Sequence, residues 1–229
     1  MNKFEIGQDP TIPLGEKLSL LYDNSSLTRA LVMLLPGGGI VDMFACKSAQ
    51  KYAQEKLNLL IKELRSEIAL NNAHKLSIED EEQFFNIFLK VCTKTITTRT
   101  NQKIRYFAHI LSRSTYEDEV NWDEVESLVG IVDSITDTHI TILKIFIDLC
   151  TKEEGATKRV RFVDATSSQT LSKFHDIEVS AVKMYVADLV SKGLLYDEGV
   201  GRTDARALQL LRPNETSYWF IHWIKGQAS

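Results

Sequence analysis

The chain has 229 residues, of which 44% are hydrophobic and 25% are charged, a composition typical of a globular protein and not of a disordered one. Its formal net charge of −4 excludes nucleic-acid binding by overall charge, so any such binding requires a local basic patch. Three widely spaced cysteines (Cys46, Cys92 and Cys150) and an N-terminus without an apolar run predict a cytoplasmic protein with reduced thiols.

The N-terminal part is predicted to begin irregularly and then to form helices. Residues 1–24 contain two prolines and two glycines, which predict an irregular lead-in. A helical bundle is predicted over residues 25–135. It starts with an apolar hairpin, Leu27–Phe44, that turns at Pro36–Gly39 because proline and consecutive glycines interrupt a helix.

The glycine turn of this hairpin does not have the residues of a phosphate-binding loop. A Walker loop needs a Lys and a Ser or Thr after its glycines, whereas Ile40–Asp42 follows here. The apolar run Ala30–Val41 is also shorter than the roughly 20 residues that span a bilayer. A buried helical corner is therefore favoured over a hairpin that dips into a membrane.

Between Ile40 and Val129 the sequence has neither glycine nor proline, and the absence of both helix breakers predicts long helices. Apolar residues at steps of three and four give these helices one buried face each. The first of these helices is predicted at about residues 40–70, and the second follows a cap at Ser77. A third resumes at Ile104 after a threonine-rich interruption, and a fourth lies around Trp122–Ile135.

The C-terminal part, residues 136–229, is predicted to be a winged helix-turn-helix. Three helices are followed by a strand from Leu194 to Tyr196, a glycine-containing wing, a returning strand from Ala207 to Leu211 and a last helix. The predicted fold class is therefore mainly α, an N-terminal helical bundle with long helices and a C-terminal winged helix with a small β wing.

Two sets of residues are candidates for nucleic-acid binding. In a helix-turn-helix, the N-terminal half of the third helix faces the major groove and the wing meets phosphates. The first set therefore consists of Ser180, Lys183, Met184, Arg202 and Arg206. Over residues 158–212, however, nine Lys or Arg stand against seven Asp or Glu, a low supply of positive charge for binding phosphates. A structural role or a contact with protein is the favoured interpretation.

The second set lies in the predicted bundle, where no acid occurs from Gln83 to Tyr116. Aromatic residues interleave with basic ones there, as on some nucleic-acid surfaces. Acidic segments lie on both sides of this stretch, and neighbouring charges of opposite sign in a bundle commonly pair or face water, which is the favoured alternative. The basic residues of this set are Lys94, Arg99, Lys103 and Arg105.

No arrangement of residues indicates catalysis, a metal or a cofactor. The five histidines are scattered, and no His/Cys cluster has the spacing of a metal site. No serine elbow or kinase signature is present. The sequence therefore predicts a protein that is not an enzyme.

Two stretches resemble bacterial helical proteins with a C-terminal winged helix. One is Ala30–Asp42 followed by Gln54–Leu64, and the other is Thr98–Leu111 followed by the helix that leads to Ile140–Leu143. The second stretch is similar to the abortive-infection alpha group of phage-defence proteins. This resemblance implies a cytosolic, non-enzymatic role in defence against phage and carries over no catalytic residue.

Three functions follow as hypotheses. The favoured one is a regulatory protein that binds a protein partner or itself and uses its winged helix as a contact module, with contact to DNA as an extension of this role. The second is a DNA-binding regulator. The third is a phage-defence protein that acts through a partner or, through the Leu27–Phe44 hairpin, at a membrane.

Overall fold

The structure, a computed structural model, describes residues 47–71, 78–117, 119–151, 163–174, 177–201 and 203–226. In these ranges the protein is mainly helical, with eight helices and one small antiparallel sheet of three strands. The chain divides into two compact units, one that extends to Asp133 and includes Gly226, and one from Ser134 to Lys225. The predicted lead-in and the Leu27–Phe44 hairpin lie outside the described residues.

Four helices follow one another through the first unit. The helices are α1 (Lys47–Asn71), α2 (Ile78–Thr97), α3 (Asn101–Arg113) and α4 (Trp122–Ser134). The predicted threonine-rich interruption is confirmed, because α2 ends at Thr97 and a new helix begins four residues later. Thr100 is the N-cap of α3, and its side chain accepts the backbone N–H of Lys103.

The core of the first unit lies where α1 packs against α2 and α3. Each helix buries the apolar residues that recur at steps of three and four, as the sequence predicts, because such residues share one helix face. The charged residues fall largely on the remaining faces. The buried set includes Leu57, Leu60, Leu64, Phe84, Phe88, Val91, Ile104, Phe107 and Leu111.

Cys92 belongs to this core, and burial raises the pKa of its thiol to about 12. Because the thiolate is the reactive form, a closed core makes this residue inert. In a chain with Cys46→Ser and Cys150→Ser, we expect native Cys92 to resist a maleimide that labels the urea-unfolded chain fully, as measured by mass spectrometry. Equal labelling rates with and without urea would contradict a closed core.

His109 on α3 faces Glu67 on α1 at the edge of the core, with His109 Nδ1 3.4 Å from Glu67 Oε1. Burial lowers the pKa of His109, the carboxylates of Glu67 and Glu63 oppose this shift, and Arg113 adds to it. The folded state thus favours neutral His109. The resulting stabilisation is complete above the usual pKa of about 6.5 and is lost as the pH falls towards the lowered pKa.

We therefore expect the free energy of unfolding to decrease from about pH 7.5 to pH 5.5, and to decrease less in a His109→Gln variant. Urea denaturation at a series of pH values measures this slope. His222→Gln, which removes a histidine at an exposed position, is the matched control. Identical slopes for His109→Gln and the parent would exclude His109 as the cause.

The second unit combines four helices with the sheet. Its elements in chain order are α5 (Asp137–Thr151), β1 (Val163–Asp164), α6 (Ser168–Leu171), α7 (Val179–Ser191), β2 (Tyr196–Asp197), β3 (Leu210–Arg212) and α8 (Glu215–Ile224). The strand order is β1-β3-β2, with both pairs antiparallel. Leu211 of β3 lies opposite Val163 on one side and Asp197 on the other.

Strands β2 and β3, which form a β-hairpin, both start later than the sequence predicts. β2 begins at Tyr196 instead of Leu194 because the backbone N–H groups of Leu194 and Leu195 bind the carbonyl of Leu189 and close the end of α7. Gly193 permits this closure with a φ of +69°. β3 begins at Leu210, and Pro213 follows its last residue as predicted.

The core of the second unit surrounds α5, which packs against α7, α8, β1 and β3. The ring of Phe146 on α5 lies 6.2 Å from the ring of Phe174, measured between centroids. Because α7 packs against α5, one face of α7 is buried and the opposite face is exposed. The buried set includes Ile140, Leu143, Phe146, Phe174, Val182, Val186, Leu189, Leu211 and Phe220.

Candidate interaction surface on the C-terminal unit

The apolar stripe of α7 is covered along most of its length but open at its first turn. Val182, Val186 and Leu189 are buried, as expected for one face of a helix that packs on a core. Val179 lies on the same stripe, three residues before Val182, and yet its side chain is 48% exposed. The apolar face of α7 therefore continues from the core to the surface.

The predicted site residues on α7 lie beside this opening. Ser180, Lys183 and Met184 are all exposed, and their spacing of three and four residues places them next to one another on the helix. The side chain of Met184 is 61% exposed. Arg206 is exposed in the loop between β2 and β3, whereas Arg202 lies outside the described residues. The structure thus groups three of the five predicted residues on one helix surface.

The loop between β2 and β3 is held closed by the carboxylate of Asp197. One oxygen accepts the backbone N–H of Gly199 at 2.9 Å, and the other accepts that of Leu208 at 2.7 Å. Leu208 has a φ of +60°, an uncommon value for a residue with a side chain, and these contacts hold it there. The carboxylate of Asp197 thereby fixes the position of Leu208 at the base of the loop.

A groove of about 240 Å³ lies between α6, α7, the turn after β1 and Leu208. Its walls are mostly apolar, and Lys183 is the one charged side chain among the described residues that line it. The sequence interpretation missed this groove, because its residues come from four separate segments of the chain. The lining residues are Ala165, Thr166, Leu171, Val179, Val182, Lys183, Val186 and Leu208.

A buried histidine on α5 fixes α7 from the side that faces the core. His139 Nε2 lies 3.0 Å from Asp188 Oδ2 on α7, and His139 Nδ1 accepts the backbone N–H of Thr136 at 3.0 Å. The ring also makes an edge contact with the ring of Tyr185, at 4.7 Å between centroids. Because Nδ1 accepts a hydrogen bond, it carries no hydrogen, and Nε2 carries the hydrogen that Asp188 accepts.

Positive charge is limited on this unit. Residues 134–225 contain twelve Lys or Arg and twelve Asp or Glu. Some of the cations are also paired, since Arg212 Nε lies 2.8 Å from Glu198 Oε1 and Lys192 Nζ lies 3.4 Å from Asp188 Oδ1. The α7 surface is therefore close to neutral rather than strongly positive.

The second predicted basic set lies in the first unit and is largely paired with acceptors there. Lys94 Nζ binds the carboxylate of Asp133, and Lys103 Nζ donates to the backbone carbonyl of the same residue at 2.7 Å. Arg105 Nε lies 3.4 Å from Glu63 Oε1, whereas Arg99 is exposed. Three of the four cations thus have acceptors from other helices of the unit, which reduces the charge they offer to a phosphate backbone.

Within the described ranges, no three or more His, Cys, Asp or Glu residues are arranged to hold a metal ion. No helix in the same part of the chain is both long and apolar enough to cross a membrane. Comparison of the chain with protein-family models, with characterised proteins and with solved structures gives no match.

Proposed function

We propose that the chain is a non-enzymatic regulatory protein whose C-terminal unit is a winged helix-turn-helix that binds a protein partner. The exposed surface of α7 is the contact. The observation that carries this proposal is the exposure of two apolar residues of α7, Val179 and Met184, in a unit whose formal charges balance. Apolar side chains at a surface gain free energy when a partner covers them, whereas phosphate groups offer them nothing.

The order of the elements supports the winged-helix part of the proposal. Three helices and a short strand precede a β-hairpin, and the hairpin's second strand lies between its first strand and β1. In such a fold the third helix is the one presented to a partner. Here that helix is α7, and the β2–β3 loop corresponds to the wing.

The charge of the surface favours protein over DNA as the partner. A firm DNA complex neutralises about six to ten phosphates with Lys or Arg. Among the predicted contact residues that the structure describes, Lys183 and Arg206 carry positive charge. DNA binding through Ser180, Lys183, Met184, Arg202 and Arg206 is therefore the second candidate. A phage-defence protein, as the resemblance implies, would act through such a contact with a partner protein.

A photo-crosslinking amino acid at position 184 tests the proposal in the cells that make the chain. We expect adducts that a protease removes and a nuclease does not, with a partner or with a second copy of the chain. The same amino acid at position 144, which is exposed on α5, is the matched control and should give none of these adducts. Nuclease-sensitive adducts at position 184 would favour the DNA candidate, and no adduct there would contradict both.

A further inference from the structure

We propose that the groove beside α7 receives an apolar side chain of about leucine size from the protein partner, and that Lys183 pairs with a carboxylate next to that side chain. The inference rests on the proposed function and adds the chemistry of the segment that is bound. Three features of the groove support it: its size, the nature of its walls and the position of its charge.

The size of the groove suits one side chain rather than a cofactor. Its volume of about 240 Å³ lies below the roughly 300–1,000 Å³ of sites that enclose drug-sized ligands. Leu171, Val179 and Leu208 supply accessible aliphatic walls. Anchor residues of protein interfaces typically insert one apolar side chain into such a pocket and leave the surrounding contacts to exclude water.

The groove also connects with an exposed apolar surface. Val179 lines it and is 48% exposed, so an apolar side chain in the groove would cover this residue as well. Leu208 also lines the groove, and Asp197 and the closed β2–β3 loop hold it in place. A site whose walls are already ordered loses little conformational entropy when it is filled.

The charge at the groove indicates that the partner carries an acidic group beside its apolar side chain. Lys183 is exposed and is the one cation among the described lining residues. The hydroxyl and the backbone N–H of Thr166 are both bound to the carboxylate of Asp164, at 2.7 and 2.8 Å, and are therefore already engaged. An ammonium group on a flexible stem attracts a carboxylate, so an acidic group beside the apolar side chain matches this site.

N-acetyl-leucine, which combines an isobutyl side chain with a carboxylate, tests the inference against its neutral analogue N-acetyl-leucinamide. In the full chain with ¹³C-labelled methyl groups, we expect millimolar N-acetyl-leucine to shift the methyl resonances of Leu171, Val179 and Leu208, which line the groove and are accessible. We expect it to bind about two- to fivefold more tightly than the amide, as an exposed ion pair allows. Lys183→Gln should remove this preference, and Lys144→Gln on α5 should keep it.

The inference is overturned if neither compound shifts these resonances, or if the preference for the acid survives Lys183→Gln. Protein adducts at position 184 would then still support the proposed protein contact. Conversely, binding of N-acetyl-leucine that depends on Lys183, without any protein adduct at position 184, would establish the groove as a binding site and contradict the proposed function. The crosslinking and the N-acetyl-leucine titration therefore distinguish a failure of the proposed function from a failure of the inference about the groove.

Discussion

A Gly199→Ala substitution is expected to lower the free energy of unfolding by about 3 kcal/mol, the upper end of the cost of overpacking a tight site. A Cβ atom at this position would lie 2.2 Å from the backbone carbonyl oxygen of Arg206. Since the obstacle is backbone, no side-chain rotation relieves the clash, and the two sides of the β2–β3 loop must separate. That separation breaks the contacts of Asp197 with Gly199 and Leu208.

Urea denaturation of the variant and the parent chain measures the effect, and Gly130→Ala is the matched control. Gly130 lies in α4 with open space around its Cβ position, so alanine should raise the free energy of unfolding by about 0.5–1 kcal/mol. A Gly199→Ala chain as stable as its parent would show that the loop does not approach itself as closely as described.

A His139→Ala substitution is expected to lower the free energy of unfolding by about 3 kcal/mol, through the loss of a buried ring and two hydrogen bonds. His139 is 6% exposed and joins the start of α5 to Asp188 on α7. Without the ring, the backbone N–H of Thr136 loses its acceptor and Tyr185 loses its edge contact. α7 would then be held less firmly against the core.

A double-mutant cycle with Asp188→Ala isolates the link between the two helices. We expect a coupling energy of about 1 kcal/mol or more between His139 and Asp188, because the two side chains are in direct contact. Lys144→Ala, at an exposed position of α5, should change the free energy of unfolding by less than about 0.5 kcal/mol. An effect of His139→Ala no larger than this control would contradict a structural role for the pair.

The starts of several helices are set by signals that are local in the sequence. Thr100 and Ser167 cap the helices that follow them, each by accepting a backbone N–H three residues later. Asn214 and Ser217 bind each other's backbone N–H groups in a capping box at the start of α8. Each signal lies within four residues of the feature it predicts.

The groove and the His139–Asp188 pair could not be predicted because they join residues that are distant in the sequence. Periodicity assigns Val179 to the same stripe as Val182, but it does not show where the neighbouring segments stop covering that stripe. His139 and Asp188 are separated by most of the second unit, and no spacing rule connects a histidine on one helix with a carboxylate on another. Their contact depends on how α5 and α7 pack.

The basic stretch of the first unit shows that the pairing of charges also depends on residues that are distant in the sequence. The absence of acids from Gln83 to Tyr116 is evident in the sequence, but the partners of several of its cations come from other helices. Lys94 and Lys103 both reach Asp133 on α4, and Arg105 reaches Glu63 on α1. A count of charges along the chain therefore overstates the positive surface available to nucleic acid.

A fluorescence-anisotropy titration with random-sequence duplex DNA at low salt tests the nearly neutral character of the α7 surface most directly. Low salt strengthens phosphate contacts, so it gives DNA binding its best opportunity. We expect no saturable binding of the full chain at micromolar concentration. Binding at that concentration or below, weakened by Lys183→Glu and unchanged by Lys144→Glu, would contradict a protein-contact surface and establish α7 as a DNA-binding helix.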